Sequence, residues 1–227
     1  MILLFISWYE KMNEIIMGYD DTGKEIGPID RQEAHEKWLL HKSVHIRAVD
    51  TDKEKYGWND VGIYLARRSK NKSFLWNDYY QRTAGWHVDY DTSMPNDVDI
   101  QEKEYSLSIS TAVREIKEEL MLDLLPKDLT VLESNRPNHN IKIKNKDNQT
   151  IKEDNNELLD IYSFVYSWDI KDFDKKEIKD IQIRPSKEVL KLLESNPELF
   201  GITQENTQKI EIIRDSIFKI QEKYGVK

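Results

Sequence analysis

Cysteine is absent from this chain of 227 residues, and glycine and proline are scarce, with 8 and 6 copies. The lack of cysteine excludes disulfides, thiolate metal ligands and a cysteine nucleophile, and it suits a reducing compartment such as the cytoplasm. No apolar run is long enough to span a bilayer, so we expect no membrane anchor. Positive charge is also deficient. The net charge of −8 argues against a general surface for binding a nucleic acid polymer.

Aromatic residues, by contrast, are plentiful: 6 Trp, 11 Tyr and 6 Phe favour a packed domain over disorder. We predict one domain over residues 13–203, with an apolar arm over residues 1–12 before it and an amphipathic helix over residues 204–227 after it. Within the domain, the polar segment 135–156 is predicted to be a long hairpin tip. Strand-like segments alternate with helical ones, which predicts an α/β (α+β) fold, a three-layer α/β/α sandwich around a mixed sheet. The arm and the aromatic strands are compatible with a homodimer.

The most informative segment is Thr111–Leu122, TAVREIKEELML. Its apolar residues fall on one side of a helix, which predicts that this helix docks on a core. Glu115, Glu118 and Glu119 stand at i, i+3 and i+4, so their carboxylates share one face. Because like charges at this spacing destabilise a helix by about 0.2–0.5 kcal/mol per pair, they indicate a site for a hard divalent cation such as Mg²⁺. A solvated acidic surface is the alternative that the spacing leaves open.

The core of this segment, Arg114–Glu119 (REIKEE), resembles the R-E-U-x-E-E core of the Nudix box, where U is an apolar residue. Ordered segments upstream resemble the isopentenyl-diphosphate-isomerase-like branch of the Nudix superfamily. They are Arg31–His35 (RQEAH), Leu39–His45 (LLHKSVH), Leu65–Ser69 (LARRS) and Thr83–Val88 (TAGWHV). The resemblance implies the Nudix fold. It also implies metal-dependent hydrolysis of a diphosphate linkage in a small molecule, a nucleoside diphosphate-X or a related organic pyrophosphate.

The same resemblance assigns roles to residues of the box. Glu115, Glu118 and Glu119 are expected to bind Mg²⁺ or Mn²⁺, and Arg114, Glu118 and Glu119 form the expected catalytic set. Arg114 is expected to hold the carboxylates by charge-assisted hydrogen bonds rather than to contact the substrate.

Residues outside the core of the box complete the expected site. Substrate phosphates are expected to contact four basic residues, although ordinary surface charge is the alternative for the first three. These are Arg67, Arg68, Lys72 and His87. For the general base three sources stay open: a glutamate of the box, Glu177 and Glu157.

The match to the box is incomplete. The opening glycine of the pattern falls at Trp86, which lies 28 positions (114 − 86) before Arg114, whereas the pattern requires about half that number. Residues 89–104 are therefore predicted to be an insertion, a polar loop with no apolar period. Counted from Arg114, the position of the first box glutamate is occupied by Ser106, with Glu104 or Glu102 as the candidate replacement, and the position of the late glycine is occupied by Met121. A module that binds a diphosphate ligand with weak or no catalysis stays open as the alternative function.

Three histidines need separate consideration. His35, His41 and His87 align with the positions that the true isomerases of this branch use to bind a structural metal. For His35 and His41 we favour hydrogen-bonded packing over metal ligation. Isopentenyl-diphosphate isomerase activity is disfavoured, because the isomerases use a cysteine and a glutamate for protonation and this chain has no cysteine.

Overall fold

The computed structural model describes residues 14–69, 79–91, 100–146, 149–167, 170–202 and 207–225, so the predicted arm over residues 1–12 and Lys72 lie outside the described residues. The strands are β1 Ile15–Tyr19, β2 Glu25–Asp30, β3 Leu40–Asp50, β4 Gly62–Arg68, β5 Tyr80–Gln81, β6 Thr130–Lys146, β7 Gln149–Val165 and β8 Ile178–Pro185. The α-helices are α1 Arg31–Glu36, α2 Lys53–Tyr56, α3 Ile100–Leu120, α4 Ser186–Ser195 and α5 Gln208–Tyr224, and 3₁₀ turns cover Pro126–Asp128 and Pro197–Phe200. No helix in these ranges is both long and apolar enough to cross a bilayer.

The eight strands form a mixed sheet with β3 at its centre. β3 pairs in parallel with β7 along nearly its whole length, from His41 opposite Glu157 to Val49 opposite Val165. The other pairings are antiparallel. β3 meets β4 only at its last residues, Val49 and Asp50, so the two strands diverge from that point.

Helices cover both faces of the sheet, which confirms the predicted three-layer α/β/α arrangement. On one face α3 inserts Ala112, Ile116 and Leu120 into a core that contains alternate residues of β3 and β4. On the other face the intervening residues of β3 and β4 pack against α4 and α5. The alternation of buried side chains along a strand and the 3.6-residue period along a helix together dictate this layering.

The segment 83–89 fills the gap where β3 and β4 diverge. Its backbone bonds to β3 through the amide of Thr83 to the carbonyl of Ile46 (2.9 Å) and through the amide of Val44 to the carbonyl of Trp86 (2.8 Å). This segment therefore lies against the sheet, and Gly85, Trp86 and His87 are held at fixed positions beside α3.

The helix that carries the box begins earlier than predicted. Residues 100–104 were expected to belong to a polar loop, but α3 starts at Ile100 and runs for 21 residues. Buried polar contacts explain the difference: Lys42, 1% exposed, lies 3.5 Å from Glu104, and the hydroxyl of Ser108 donates to Asp160 at 2.5 Å. A helix stabilised by long-range polar contacts shows no apolar period in its sequence.

The polar segment 135–156 also differs from its prediction. Rather than a long tip, it consists of paired strand, because β6 and β7 stay in antiparallel register from Arg136 opposite Leu159 to Lys146 opposite Gln149. The hairpin itself was predicted, whereas the length of its strands was not, since the segment is rich in Asn and Lys and its alternation of apolar and polar residues is confined to Ile141–Lys144 (IKIK).

Candidate active site on helix α3

Arg114 lies at the centre of a group of carboxylates at the start of the predicted metal-binding segment. Its Nη1 is 2.5 Å from Oε1 of Glu115 and 3.0 Å from Oε2 of Glu118, and its Nη2 is 2.7 Å from Oδ2 of Asp89. These neighbours raise the pKa of Arg114 although its burial opposes the shift. The arrangement brings together Arg114 with two of the predicted glutamates and fixes their carboxylates.

The three glutamates of the box have different surroundings. Glu115 is 4% exposed, whereas the side chain of Glu118 is 58% exposed. Glu119 occupies a third environment, because it lines a cleft between α3, β4 and segment 83–89. The sequence placed all three on one face, and the structure shows that only part of that face borders the cleft.

The cleft combines carboxylates with guanidinium groups. Its lining residues are Ala66, Arg68, Gln81, Arg82, Thr83, Ala84, Gly85, Glu119, Glu177 and Ile178. Glu177 reaches it because the loop before β8 is tied to its surroundings: the amide of Asp174 donates to the carbonyl of Glu119 at 2.9 Å, and the amide of Ser69 donates to that of Glu177 at 2.8 Å. Glu119 and Glu177 offer the oxygen ligands that Mg²⁺ and Mn²⁺ prefer, so the donor chemistry fits a hard divalent ion.

Arg68 is the predicted phosphate ligand that lies in this cleft. Within the described ranges its guanidinium makes no hydrogen bond and no ion pair, and its aromatic contact is with Trp86, whose ring centroid is 5.7 Å from Cζ. Burial and the nearby charge of Arg82 lower its pKa, while Glu119 and Glu177 act in the opposite direction. A half-buried guanidinium with open donors can bind phosphate oxygens.

The other predicted phosphate ligands lie elsewhere or lie outside the described residues. Arg67 is turned to the opposite side of β4, where its Nε binds both carboxylate oxygens of Asp180 at 2.9 and 3.0 Å. His87 lies in a separate group of histidines, described below, and does not line the cleft. No structure is described for Lys72.

Backbone geometry requires glycine at position 85. Its φ is +148°, and a Cβ placed there would lie 2.2 Å from the carbonyl oxygen of Val44 and 2.6 Å from Nε of Arg82. Any side chain would therefore displace either β3 or Arg82. This glycine belongs to the TAGWHV segment, and its conformation keeps the wall of the cleft open.

The three aligned histidines form a second group of potential ligands. Nitrogen atoms of His35, His41 and His87 lie within 4.8 Å of one another, and their ring centroids are 5.0 to 5.1 Å apart. Nδ1 of His41 donates to the carbonyl of Leu39 at 2.9 Å, so its Nε2 carries a lone pair, and no described residue bonds to it. Burial, together with His41 and Arg31, holds the pKa of His87 well below its usual value and keeps that ring neutral. Neutral imidazoles are the form that binds a transition-metal ion. Nδ1 of His87 accepts a hydrogen bond from Nε of Arg31 at 3.2 Å, so this contact must open before His87 can act as a ligand.

Glu157 adjoins the histidine group rather than the cleft. It is 5% exposed, and it accepts hydrogen bonds from the hydroxyl of Ser43 (2.9 Å) and the amide of Asn138 (2.6 Å). One of its oxygens is 4.0 Å from Nε2 of His87. Of the two candidate bases outside the box, Glu177 is thus the one that borders the cleft, and Glu157 is placed to complete the histidine group.

Sequence reasoning missed Arg82 and Asp89. Both residues flank the TAGWHV segment. The signal that could have identified them is their position, one charged residue at each end of a segment that enters the sheet. The pairing of Asp89 with Arg114 spans 25 positions, and spacing along the chain does not reveal such a contact.

No protein-family model and no curated protein matches the sequence. Several solved structures similar to this chain are Nudix proteins. The NUDIX domain of Shewanella oneidensis NrtR, solved with ADP ribose, is 13% identical with a TM-score of 0.38, over 90% of this chain and 93% of that chain. The E. coli dihydroneopterin triphosphate pyrophosphohydrolase is 14% identical with a TM-score of 0.41, over 76% and 92% of the two chains. At these identities and TM-scores the similarity assigns no activity to the chain.

Proposed function

We propose that the chain is a Nudix-type pyrophosphohydrolase that uses Mg²⁺ or Mn²⁺ to hydrolyse a diphosphate linkage in a small molecule. The observation that carries this proposal is the cleft in which Arg68, which makes no hydrogen bond or ion pair within the described residues, faces Glu119 and Glu177. The carboxylates can bind a metal ion and the guanidinium can bind phosphate oxygens, so the cleft suits a substrate that binds as a metal–diphosphate complex. The REIKEE core on a docked helix supports the same assignment.

Each residue has a distinct part in the proposed mechanism. Glu119, with Glu115 and Glu118, would hold the divalent ion, which when bound offsets phosphate charge and lowers the pKa of a water molecule. Arg68 binds oxygens of the diphosphate and draws charge away from phosphorus. Glu177 accepts the proton of the attacking water as that water adds to phosphorus and the P–O bond to the leaving phosphate breaks. The products are two phosphorylated fragments, one of which can be inorganic phosphate.

Arg114 acts on the carboxylates rather than on the substrate. Three acidic side chains around one guanidinium would repel one another without it, since like charges at close range are unfavourable. Arg114 thereby keeps Glu115 and Glu118 in place in the absence of the ion.

Isomerase activity is not part of the proposal, because the isomerases use a cysteine for protonation and this chain contains none. In place of the packing role favoured from the sequence for His35 and His41, we further propose that these two residues and His87 hold a structural metal, because their nitrogen atoms lie within 4.8 Å of one another. Glu157, 4.0 Å from Nε2 of His87, is placed to complete the set. Such an ion would stabilise the fold rather than take part in the hydrolysis.

The direct test is an assay of nucleoside diphosphate-X compounds with Mg²⁺ or Mn²⁺, comparing wild type with Glu119→Gln and Glu118→Gln. We expect kcat to fall about a thousandfold in each of these two variants, because losing the metal removes several kcal/mol of transition-state stabilisation. Glu194→Gln, the same change at an exposed position of α4, is the matched control and should retain wild-type activity. Equal rates in the wild type and in both box variants would remove these glutamates from the site.

The alternative, a binding module without turnover, predicts a different result. Calorimetry would show binding of a diphosphate compound, but no product would form over hours with either metal. Metal-dependent release of product excludes the module.

A further inference from the structure

Arg82 is a second cation of the cleft, and two neutral groups hold it. Its Nη1 is 3.1 Å from Nε2 of His45, and its Nη2 donates to the carbonyl oxygen of Gly85 at 3.0 Å. Within the described ranges no carboxylate pairs with it. A guanidinium anchored by neutral acceptors keeps its positive charge available to an anion in the cleft.

The contact with Arg82 determines the tautomer of His45. A guanidinium has only donors, so Nε2 of His45 must accept the hydrogen bond and the ring proton must lie on Nδ1. Burial, followed by the charge of Arg82, holds the pKa of His45 well below its ordinary value, and Arg47 and Lys209 act in the same direction. The ring is therefore a neutral acceptor under physiological conditions.

His45 is also placed rigidly. It lies in the middle of β3, whose backbone is paired with β7 on one side at Ile161. On the other side the neighbouring residue Ile46 bonds to Thr83 and Ala84, directly after Arg82. An acceptor on the central strand thus fixes the angle at which Arg82 enters the cleft.

We propose that His45 is a positioning residue: by accepting a hydrogen bond from Arg82, it aims the Arg82 guanidinium at the diphosphate of the bound substrate. The inference rests on the proposed function for its ligand, but the contact between the two side chains can be tested separately. Neither Arg82 nor His45 belongs to the site that the sequence predicts.

The first measurement needs no ligand. Nitrogen NMR of histidine-labelled protein reports which ring nitrogen carries the proton, and we expect the Nδ1–H tautomer for His45. In Arg82→Met the Nε2 resonance should move towards the position of an unbonded nitrogen. A His45 ring protonated on Nε2 in the wild type would overturn the proposal, whatever the protein binds.

The second measurement tests the effect on binding with methylenediphosphonate, a diphosphate that cannot be hydrolysed, in the presence of Mg²⁺. His45→Leu removes the acceptor, whereas His45→Gln retains an oxygen close to the position of Nε2. We expect Kd to rise about tenfold in His45→Leu, the size of one misplaced charge-assisted hydrogen bond. Kd in His45→Gln should stay within about threefold of wild type, since the neutral hydrogen bond is retained. If His45→Leu does not fold, the proposal is still tested by the tautomer of His45 in the wild type and by the affinity of His45→Gln.

A double-mutant cycle separates positioning from a general structural role. If His45 acts through Arg82, His45→Leu should not raise Kd further in an Arg82→Met background. Additive effects of the two changes would overturn the proposal. Equal affinities of wild type and His45→Leu for the probe would also overturn the role of His45, but they would not contradict the proposed function. Absence of probe binding by the wild type would instead reject the proposed function and this inference together.

Discussion

The cleft beside α3 and the contact between α5 and β6, here called the seam, both contain arginines. The arginine of the seam is paired with carboxylates, whereas Arg68 in the cleft is not paired within the described ranges. In the seam, Arg136 pairs with Glu133 at 3.1 Å and with Asp215 at 2.9 Å, and Lys219 also binds Glu133 at 2.9 Å. In the cleft, Arg68 has no such partner in the described part of the chain. Charges that are matched within the protein stabilise its fold, whereas charges left unmatched in a cleft indicate a ligand that brings the opposite charge.

β4 contains both cases in adjacent residues. Arg67 is bound to Asp180 on the neighbouring strand β8, and Arg68 faces the cleft.

The largest effect is expected from Gly85→Ala. The new Cβ would lie 2.2 Å from the carbonyl oxygen of Val44 and 2.6 Å from Nε of Arg82. We expect a loss of about 3 kcal/mol in the free energy of unfolding, from backbone strain and overpacking. Urea unfolding measures it, and binding of a diphosphate should weaken as Arg82 is displaced.

Gly23→Ala is the matched control for this backbone change. Its φ is +80°, but no atom lies within 4 Å of the new Cβ. It should cost about 1 kcal/mol, from the left-handed backbone alone, and leave the affinity for diphosphates unchanged. Equal losses in the two variants would show that the cleft wall is not crowded at position 85.

The second prediction compares Arg68→Met with Arg67→Met. Loss of a charge-assisted hydrogen bond to phosphate should raise KM about ten- to a hundredfold in Arg68→Met, with the free energy of unfolding nearly unchanged. Arg67→Met should leave KM unchanged and reduce stability by about 0.5 kcal/mol, because the pair with Asp180 is partly exposed. Steady-state kinetics and urea unfolding of both variants provide the data. The reverse result would place the phosphate site on the other face of β4.

Arg67 and Arg68 also show which part of the site can be predicted from the sequence. Strand periodicity alone requires Arg67 and Arg68 to point to opposite faces. It does not say which face meets α3, because that depends on the register of β8 and on Asp180, 113 residues away. Both arginines were therefore equally good candidates until the strands were paired.

The fold was more predictable than the site for a related reason. Ala112, Ile116 and Leu120 lie on one stripe of α3, and local periodicity reveals such a stripe. Arg82 and His45 are 37 positions apart, and their contact depends on the divergence of β3 and β4. The early start of α3 was missed for the same reason, since Lys42 and Glu104 bury charges together that look like surface residues in the sequence.

The smallest expected effect concerns the seam and its dependence on pH. Burial raises the pKa of Glu133, but hydrogen bonds from Lys219 and Arg136 outweigh it, so the pKa lies below its ordinary value of 4.5. A carboxyl group with a lowered pKa in the folded state stabilises the protein above the unfolded-state pKa and loses that contribution as pH falls through the folded-state pKa. Glu133→Gln should therefore cost on the order of 0.5 kcal/mol at pH 7. The difference in Tm from wild type should shrink as the pH falls below 4.5. A difference in Tm that is independent of pH would mean that Glu133 contributes through packing, and the seam would no longer serve as the matched-charge counterpart of the cleft.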